Sequence, residues 1–323
     1  MAVSHMKVLV AYDGSECADA AVDDLRRAGL HGDVEAVVLS VADVFPNLPP
    51  EMFDPPDAAA KGRQELSPSL KRVRTLAAQA MKEARLTAAR GAGRVKGVFP
   101  GWNVRTVAVG DSPYRAIVRE AESWRPDLLV VGSQGRSGVG RVLLGSVSQL
   151  VLQHAPCSVR IARCPEDETR LADEPPRLIV AIDGSPDAAA AVSAVCDRTW
   201  PAGTRAQVVT AVDVRMSMAL AGLGPPVGAW AVDPGKSPDE RAWAWQAVEA
   251  AANELQSAGL DATPLVEQGD PKRVVPELAA KWPADCIFVG AKGHSRMQQF
   301  LIGSVSAAIA ARARCSVEVV RQG

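Results

Sequence analysis

Two short glycine patterns carry the first chemical signal in the chain. Gly132-Ser133-Gln134-Gly135 is followed, nine residues later, by Gly145-Ser146-Val147. Gly290-Ala291-Lys292-Gly293 is followed at the same interval by Gly303-Ser304-Val305. An apolar run ends at each leading glycine, and a helical pattern opens at each Gly-Ser pair. A turn that needs a residue without Cβ, set beside a helix N-terminus, makes a concave nest of N–H groups for a polyphosphate. The serine hydroxyl at that point suits either a helix cap or a phosphate oxygen. A tight turn with a helix cap is the bland alternative, and one copy alone does not decide between them. Two copies with identical internal spacing favour the nest. Asp13 and Asp183 each end an apolar run and precede Gly-Ser. A carboxylate there suits a ribose hydroxyl or a Mg²⁺ ion, and equally a helix N-cap, so both readings stay open. Gly110-Asp111 and Gly269-Asp270, each with a proline close behind, read as helix starts.

These residues recur because the chain repeats itself. "VLVAYDGSECADAAV" from Val8 returns as "LIVAIDGSPDAAAAV" from Leu178, a shift of 170 positions. Trp124 and Trp282, Gly132 and Gly290, and the "GSVS" segments follow at a shift of 158, so the first copy carries 12 extra residues. A register shared over separated blocks predicts tandem domains at 1–165 and 176–323, joined by a linker over 166–175. Within each copy, short apolar runs alternate with helical patterns. The first copy's runs are Val8–Tyr12, Val34–Val41, Val104–Val109, Leu128–Val131 and Ser158–Ala162, with a long helix predicted over Glu65–Arg90. Strands apolar on both faces and separated by helices predict α/β domains with a doubly wound, five-stranded parallel sheet. Right-handed crossovers then bring every strand-to-helix turn to one sheet edge, where ligands bind.

Composition removes other classes. The chain has 323 residues, 47% of them hydrophobic, and a formal net charge of −1. That balance exerts no general pull on nucleic acid or on an anionic membrane. Lys61–Lys96 is rich in Lys and Arg, but its apolar residues Leu66, Leu70, Val73, Ala77, Ala80 and Ala84 recur at helical spacing. Its basic residues therefore read as the outer face of an amphipathic helix. No apolar run reaches membrane-spanning length, and Met1–Met6 leads into no apolar signal, so a cytoplasmic protein is expected. Six cysteines are too sparse for a disulfide framework and lack C-x2-C spacing, which leaves zinc unsupported. Cys157 and Cys315 read as buried small hydrophobes, and Trp124 and Trp282 as core residues. Phe45–Pro56 and Gly222–Pro238 read as loops over the ligand edge. No G-x4-G-K-(S/T) and no G-x-S-x-G is present.

The two G-x2-G-x9-G-S motifs, the Asp at the end of the first apolar run and "HAPCSV" at His154 together resemble the universal stress protein family, over essentially the whole chain. The second copy departs in reading "RARCSV" at Arg312 and in carrying Ala291-Lys292 where the first has Ser133-Gln134, which leaves equal affinity of the two sites open. The resemblance implies a flavodoxin-like, Rossmann-like domain that pairs through its last strand, here as a pseudo-dimer within one chain, with further homodimerisation. For the family's ATP-binding branch it implies ATP, with Mg²⁺, held by Asp13, Val41, Gly132, Gly135, Gly145, Ser146 and Val147. In the second copy it implies Asp183, Val212, Gly290, Gly293, Gly303, Ser304 and Val305. The aspartates would meet ribose or Mg²⁺, and the two valines would meet adenine through their backbone. Arg136, Arg141, Lys292 and Arg296 are further candidates for phosphate charge, although each also suits a solvated surface. The expected function is an adenine-nucleotide-binding stress or regulatory protein that acts by nucleotide-linked change. A slow Mg²⁺-dependent ATP hydrolase and a pairing module without nucleotide are the alternatives. A partner protein and cyclic AMP in place of ATP stay open.

Overall fold

The computed structural model describes residues 5–30, 32–43, 68–135, 144–163, 174–212, 238–293 and 302–322. The chain divides into two compact units: Met1–Arg26 with His31–Cys164, and Pro165–Gly323 with the short segment Arg27–Leu30. The first unit runs β1 (Met6–Ala11), α1 (Glu16–Asp24), β2 (Val34–Asp43), α2 (Pro68–Val98), β3 (Asn103–Asp111), α3 (Pro113–Trp124), β4 (Leu128–Gly132), α4 (Ser146–His154) and β5 (Ser158–Ala162). The second runs β6 (Arg177–Ala181), α5 (Pro186–Cys196), β7 (Arg205–Val212), α6 (Pro238–Ser257), β8 (Asp261–Gln268), α7 (Pro271–Lys281), β9 (Cys286–Gly290), α8 (Ser304–Arg312) and β10 (Ser316–Val320).

Each unit contributes five parallel strands. Their order is β3-β2-β1-β4-β5 in the first and β8-β7-β6-β9-β10 in the second. The expected α/β fold is therefore present twice. Strand direction follows from the connections: a parallel neighbour needs a crossover, and each crossover is a helix laid on the sheet. The central strands are covered on both faces, with Val8, Leu9, Val10, Leu128, Leu129 and Val130 fully buried. Continuous apolar runs of Val and Leu suit that environment. The chain winds outward from β1 through β2 to β3, then crosses back to β4 on the other side. The crevice between the carboxyl ends of β1 and β4 is thus a topological switch point, and β6 and β9 form another.

Helix α2 differs from its predicted bounds. It continues beyond Arg90 to Val98, through Gly91 and Gly93. Gly91 is compatible with the helix and is needed there, because a Cβ would lie 2.7 Å from the Tyr12 ring and 2.9 Å from Val38 Cγ1. The buried face of α2 is Ala77, Met81, Ala84, Ala88, Ala92 and Val95. Lys71, Arg72, Lys82, Arg85, Arg90, Arg94 and Lys96 are exposed, as an amphipathic reading requires. The two Pro-rich loop segments lie outside the described residues, apart from Pro238, which opens α6.

Two expectations about packing need correction. Trp124 and Trp282 are half-buried, not core. Trp124 instead sits beneath two cations, with Arg105 at 5.0 Å and Lys7 Nζ at 5.7 Å from its ring centroid. Cys157 and Cys315 are also half-buried, because they lie in the turns just before β5 and β10. Cys17 is disulfide-bonded, which is compatible with cysteines too sparse for a framework. Charges are buried as well. On β5, the fully buried Arg160 donates to Asp24 at 2.6 Å. At the matching place on β10 stands Glu318, 1% exposed at its side chain, which accepts from Arg198.

Candidate functional site

Each site is assembled from three turns at the carboxyl edge of its sheet. The first turn follows β1. Gly14 has φ 78° and Gly184 φ 77°, a region that glycine enters without penalty. This bend folds the aspartate back on the chain, so that Asp13 Oδ1 accepts from the Ser15 amide at 2.9 Å and Asp183 Oδ1 from the Ser185 amide at 3.0 Å. The serines, not the aspartates, are the N-caps: Ser15 Oγ accepts from Ala18 N and Ser185 Oγ from Ala188 N, each at 3.2 Å. Asp13 and Asp183 are thereby held at the helix mouth without serving as its cap.

The second turn follows β4 and β9. A Cβ on Gly132 would meet the carbonyl oxygen of Cys17 at 2.8 Å, and one on Gly290 the carbonyl carbon of Asp187 at 2.5 Å. Each strand end therefore presses on the first turn of α1 or α5, and a side chain would push the two apart. At Gly135 an added Cβ would stand 3.0 Å from Asp13 Oδ2, and at Gly293 2.5 Å from Asp183 Oδ2. The second glycine of each motif thus lies against the predicted carboxylate.

The third turn leads into α4 and α8. The Gly145 amide donates to the Ser133 carbonyl at 2.8 Å, and the Gly303 amide to the Ala291 carbonyl at 2.7 Å. Gly145 and Gly303 are the N-caps, and among the described residues neither helix has a side-chain cap hydrogen bond. Ser146 and Ser304 stand at the first helical position and are exposed, so the cap reading of these serines is corrected. Val147 and Val305 follow, half-buried. A helix start without a side-chain acceptor leaves its positive dipole end for some other anion.

The structure brings the predicted aspartates and glycines together and separates the two valines. The Tyr12 amide bonds to the Leu39 carbonyl, and the equivalent Ile182 amide to that of Val209. Val41 therefore corresponds to Ala211, and Val212 to Ala42, one residue out of register. Both lie near the carboxyl ends of β2 and β7, and the Val212 carbonyl accepts from Gly269 at 3.0 Å. Gly269, at φ 132°, and Asp270, which caps α7 by accepting from Lys272 N at 2.9 Å, are the helix-start device that was expected. Asp111 accepts instead from the Ser112 amide at 2.7 Å. Lys292 is half-buried beside the second motif, while Arg136, Arg141, Arg296 and His294 lie outside the described residues.

Sequence reasoning missed three participants. Ser148 Oγ donates to the Gly132 carbonyl at 2.7 Å and Ser306 Oγ to that of Gly290 at 2.6 Å, tying each strand-end glycine to the helix that follows. The last serine of the duplicated "GSVS" was the available signal. Asp187 is the third: its Oδ2 accepts from the Lys292 amide at 2.9 Å. Tyr12, beside Asp13, donates its hydroxyl to Asp19, and burial followed by that hydrogen bond pushes its phenol up to about 12. Among the described residues, no group of His, Cys, Asp and Glu forms a metal cluster.

The sequence profile of the universal stress protein family matches residues 5–163 and 176–321. The chain belongs to the universal stress protein family. A family member from Methanocaldococcus jannaschii is 29% identical over 168 residues, 51% of this chain and 85% of that protein. One from Mycolicibacterium smegmatis is 29% identical over 222 residues, 68% of this chain and 70% of that one. The crystal structure of a universal stress protein from Archaeoglobus fulgidus shares the fold, with a TM-score of 0.60 at 18% identity. It covers 98% of this chain and 96% of that one. Among the described residues, no helix of this universal stress protein is long and apolar enough to cross a membrane.

Proposed function

We propose that each of the two domains, 1–165 and 176–323, binds the phosphates of an adenine nucleotide, ATP with Mg²⁺, at its glycine motif. The observation that carries this reading is the pair of helix starts at Gly145 and Gly303. Each lacks a side-chain cap, faces a strand-end glycine turn, and has an aspartate beside that turn at the switch point of the sheet. Backbone amides and a helix dipole favour a phosphate chain there. Asp13 and Asp183 would hold Mg²⁺ or the ribose, and the ends of β2 and β7 would meet the base. Bound Mg²⁺ would neutralise phosphate charge beside these carboxylates. Function then follows from linkage: nucleotide shifts the population of whichever arrangement binds it better.

Isothermal titration of ATP with Mg²⁺ into the full chain tests the reading. Gly145→Phe and Gly303→Phe should each remove one binding event, since a Cβ at these positions already stands 3.4 Å from the Ser133 carbonyl and 3.2 Å from that of Ala291. No heat, and no displacement of a fluorescent ATP analogue from the wild type, would overturn it.

A further inference from the structure

The two motifs share their geometry, but not the side chain that flanks it. Residues 17 and 187 occupy the same place in the repeat, in the first turn of α1 and of α5. In both units the backbone of that residue touches the leading glycine of the motif. In the first unit the residue is Cys17, uncharged in its disulfide. In the second it is Asp187, whose carboxylate accepts the Lys292 backbone amide at 2.9 Å. That amide belongs to the Gly290–Gly293 turn, the segment whose N–H groups would cradle phosphate. On its other side the same residue is held again, because its carbonyl accepts from Ser185 Oγ at 3.1 Å.

We propose that Asp187 is an internal competitor at the second motif, so that the two sites bind nucleotide unequally and the first binds more tightly. This rests on the reading of both motifs as nucleotide phosphate sites. The carboxylate acts in two ways. It takes up an amide donor that an incoming phosphate oxygen would use, and it places a negative charge beside Asp183 where the phosphates must come. Like charges brought together in this manner oppose binding, and a donor that must change partners gives back much of its hydrogen-bond energy. Lys292 brings a cation that Gln134 lacks, but a flexible, strongly hydrated ammonium offsets only part of this. The first unit has no acidic residue at the corresponding place. Asp19, two residues further along α1, is engaged by Tyr12 and Arg90.

The test is ATP titration, with Mg²⁺, of the full chain carrying Gly145→Phe, so that only the second site reports. Asp187→Ala in that background should tighten ATP binding about tenfold, the size expected when a competing charged hydrogen bond is removed. Asp187→Asn keeps an acceptor for the Lys292 amide but loses the charge, and should give a smaller gain. Two sites of equal affinity in the wild type would overturn the inference. So would an Asp187→Ala variant with unchanged or weaker binding, the latter making Asp187 a Mg²⁺ ligand. Either result leaves the proposed function standing as long as the first site binds ATP. Absence of ATP binding in the wild type and in every variant overturns both.

Discussion

Tyr12 shows how one side chain fixes the mouth of a site. It follows β1, packs under α2, and immediately precedes Asp13, so its position sets where that carboxylate begins. Burial, reinforced by Asp19, holds its phenol neutral up to about 12, against an ordinary value of 10.0. The unfolded chain loses this proton near the ordinary value, so the native state binds more protons between the two. The stabilisation is therefore complete below pH 10 and disappears as pH rises through about 12. The chain has two tyrosines, and Tyr114→Phe leaves Tyr12 as the sole phenol. Its phenolate absorbance should then rise with a midpoint near 12; a midpoint near the ordinary value would mean that the ring is open to water.

At the scale of elements, α2 gives a clear sign test. Gly→Ala within a helix normally gains about 0.5–1 kcal/mol. At Gly91 the added methyl would meet the Tyr12 ring at 2.7 Å, and the ring is itself buried. Overpacking of that kind costs about 1–3 kcal/mol, so Gly91→Ala should lower the urea midpoint of the first unit. Gly93→Ala, with nothing within 4 Å, should raise it. The same helix marks the limit of what the sequence made legible. Apolar runs located every strand of the first unit: the central strands, covered on both faces, leave continuous Val and Leu, and the edge strand β3 keeps an interrupted run, Val104–Val109, among exposed and half-buried residues. The glycine spacing located the turns, because only glycine permits strand end and helix start to approach so closely. The predicted helix ends at Arg90, one residue short of Gly91, since a helix-breaking residue and a residue chosen for close packing look alike in one dimension. The Val41 and Val212 misalignment has a similar origin: strand register is fixed by hydrogen bonds to a neighbour, such as Tyr12 to Leu39, and not by which residue is a valine. Trp124 and Trp282 precede a strand by the same distance, which points to the core, yet a ring covered by Arg105 and Lys7 is satisfied at the surface. Asp187 was visible only as a mismatch with Cys17, and its bond to a distant amide required the fold.

For the whole molecule, nucleotide should act as a stabiliser. A ligand that binds only the folded state at a hundredfold excess over its Kd adds about 2.7 kcal/mol. If the sites are unequal, thermal unfolding followed against ATP concentration should show one gain at low concentration and another at higher concentration. Gly145→Phe should erase the first gain and leave the second. A single rise at one concentration would mean equal sites.

Arg160 and Glu318 stand at the same place in the repeat with opposite charge, and each has found a partner of its own: Asp24 in one unit, Arg198 in the other. The two halves have therefore ceased to be spare copies of each other. Recombination within such a duplicated gene readily fuses the front of one repeat to the back of the other. Here one hybrid would bury Asp24 against Glu318, and the reciprocal hybrid Arg198 against Arg160. Either combination brings like charges together in the interior and removes the ion pair that each parent holds there. Exchanging this one charge pair should therefore leave each hybrid domain less stable to urea than either parent, so the two repeats can no longer substitute for one another.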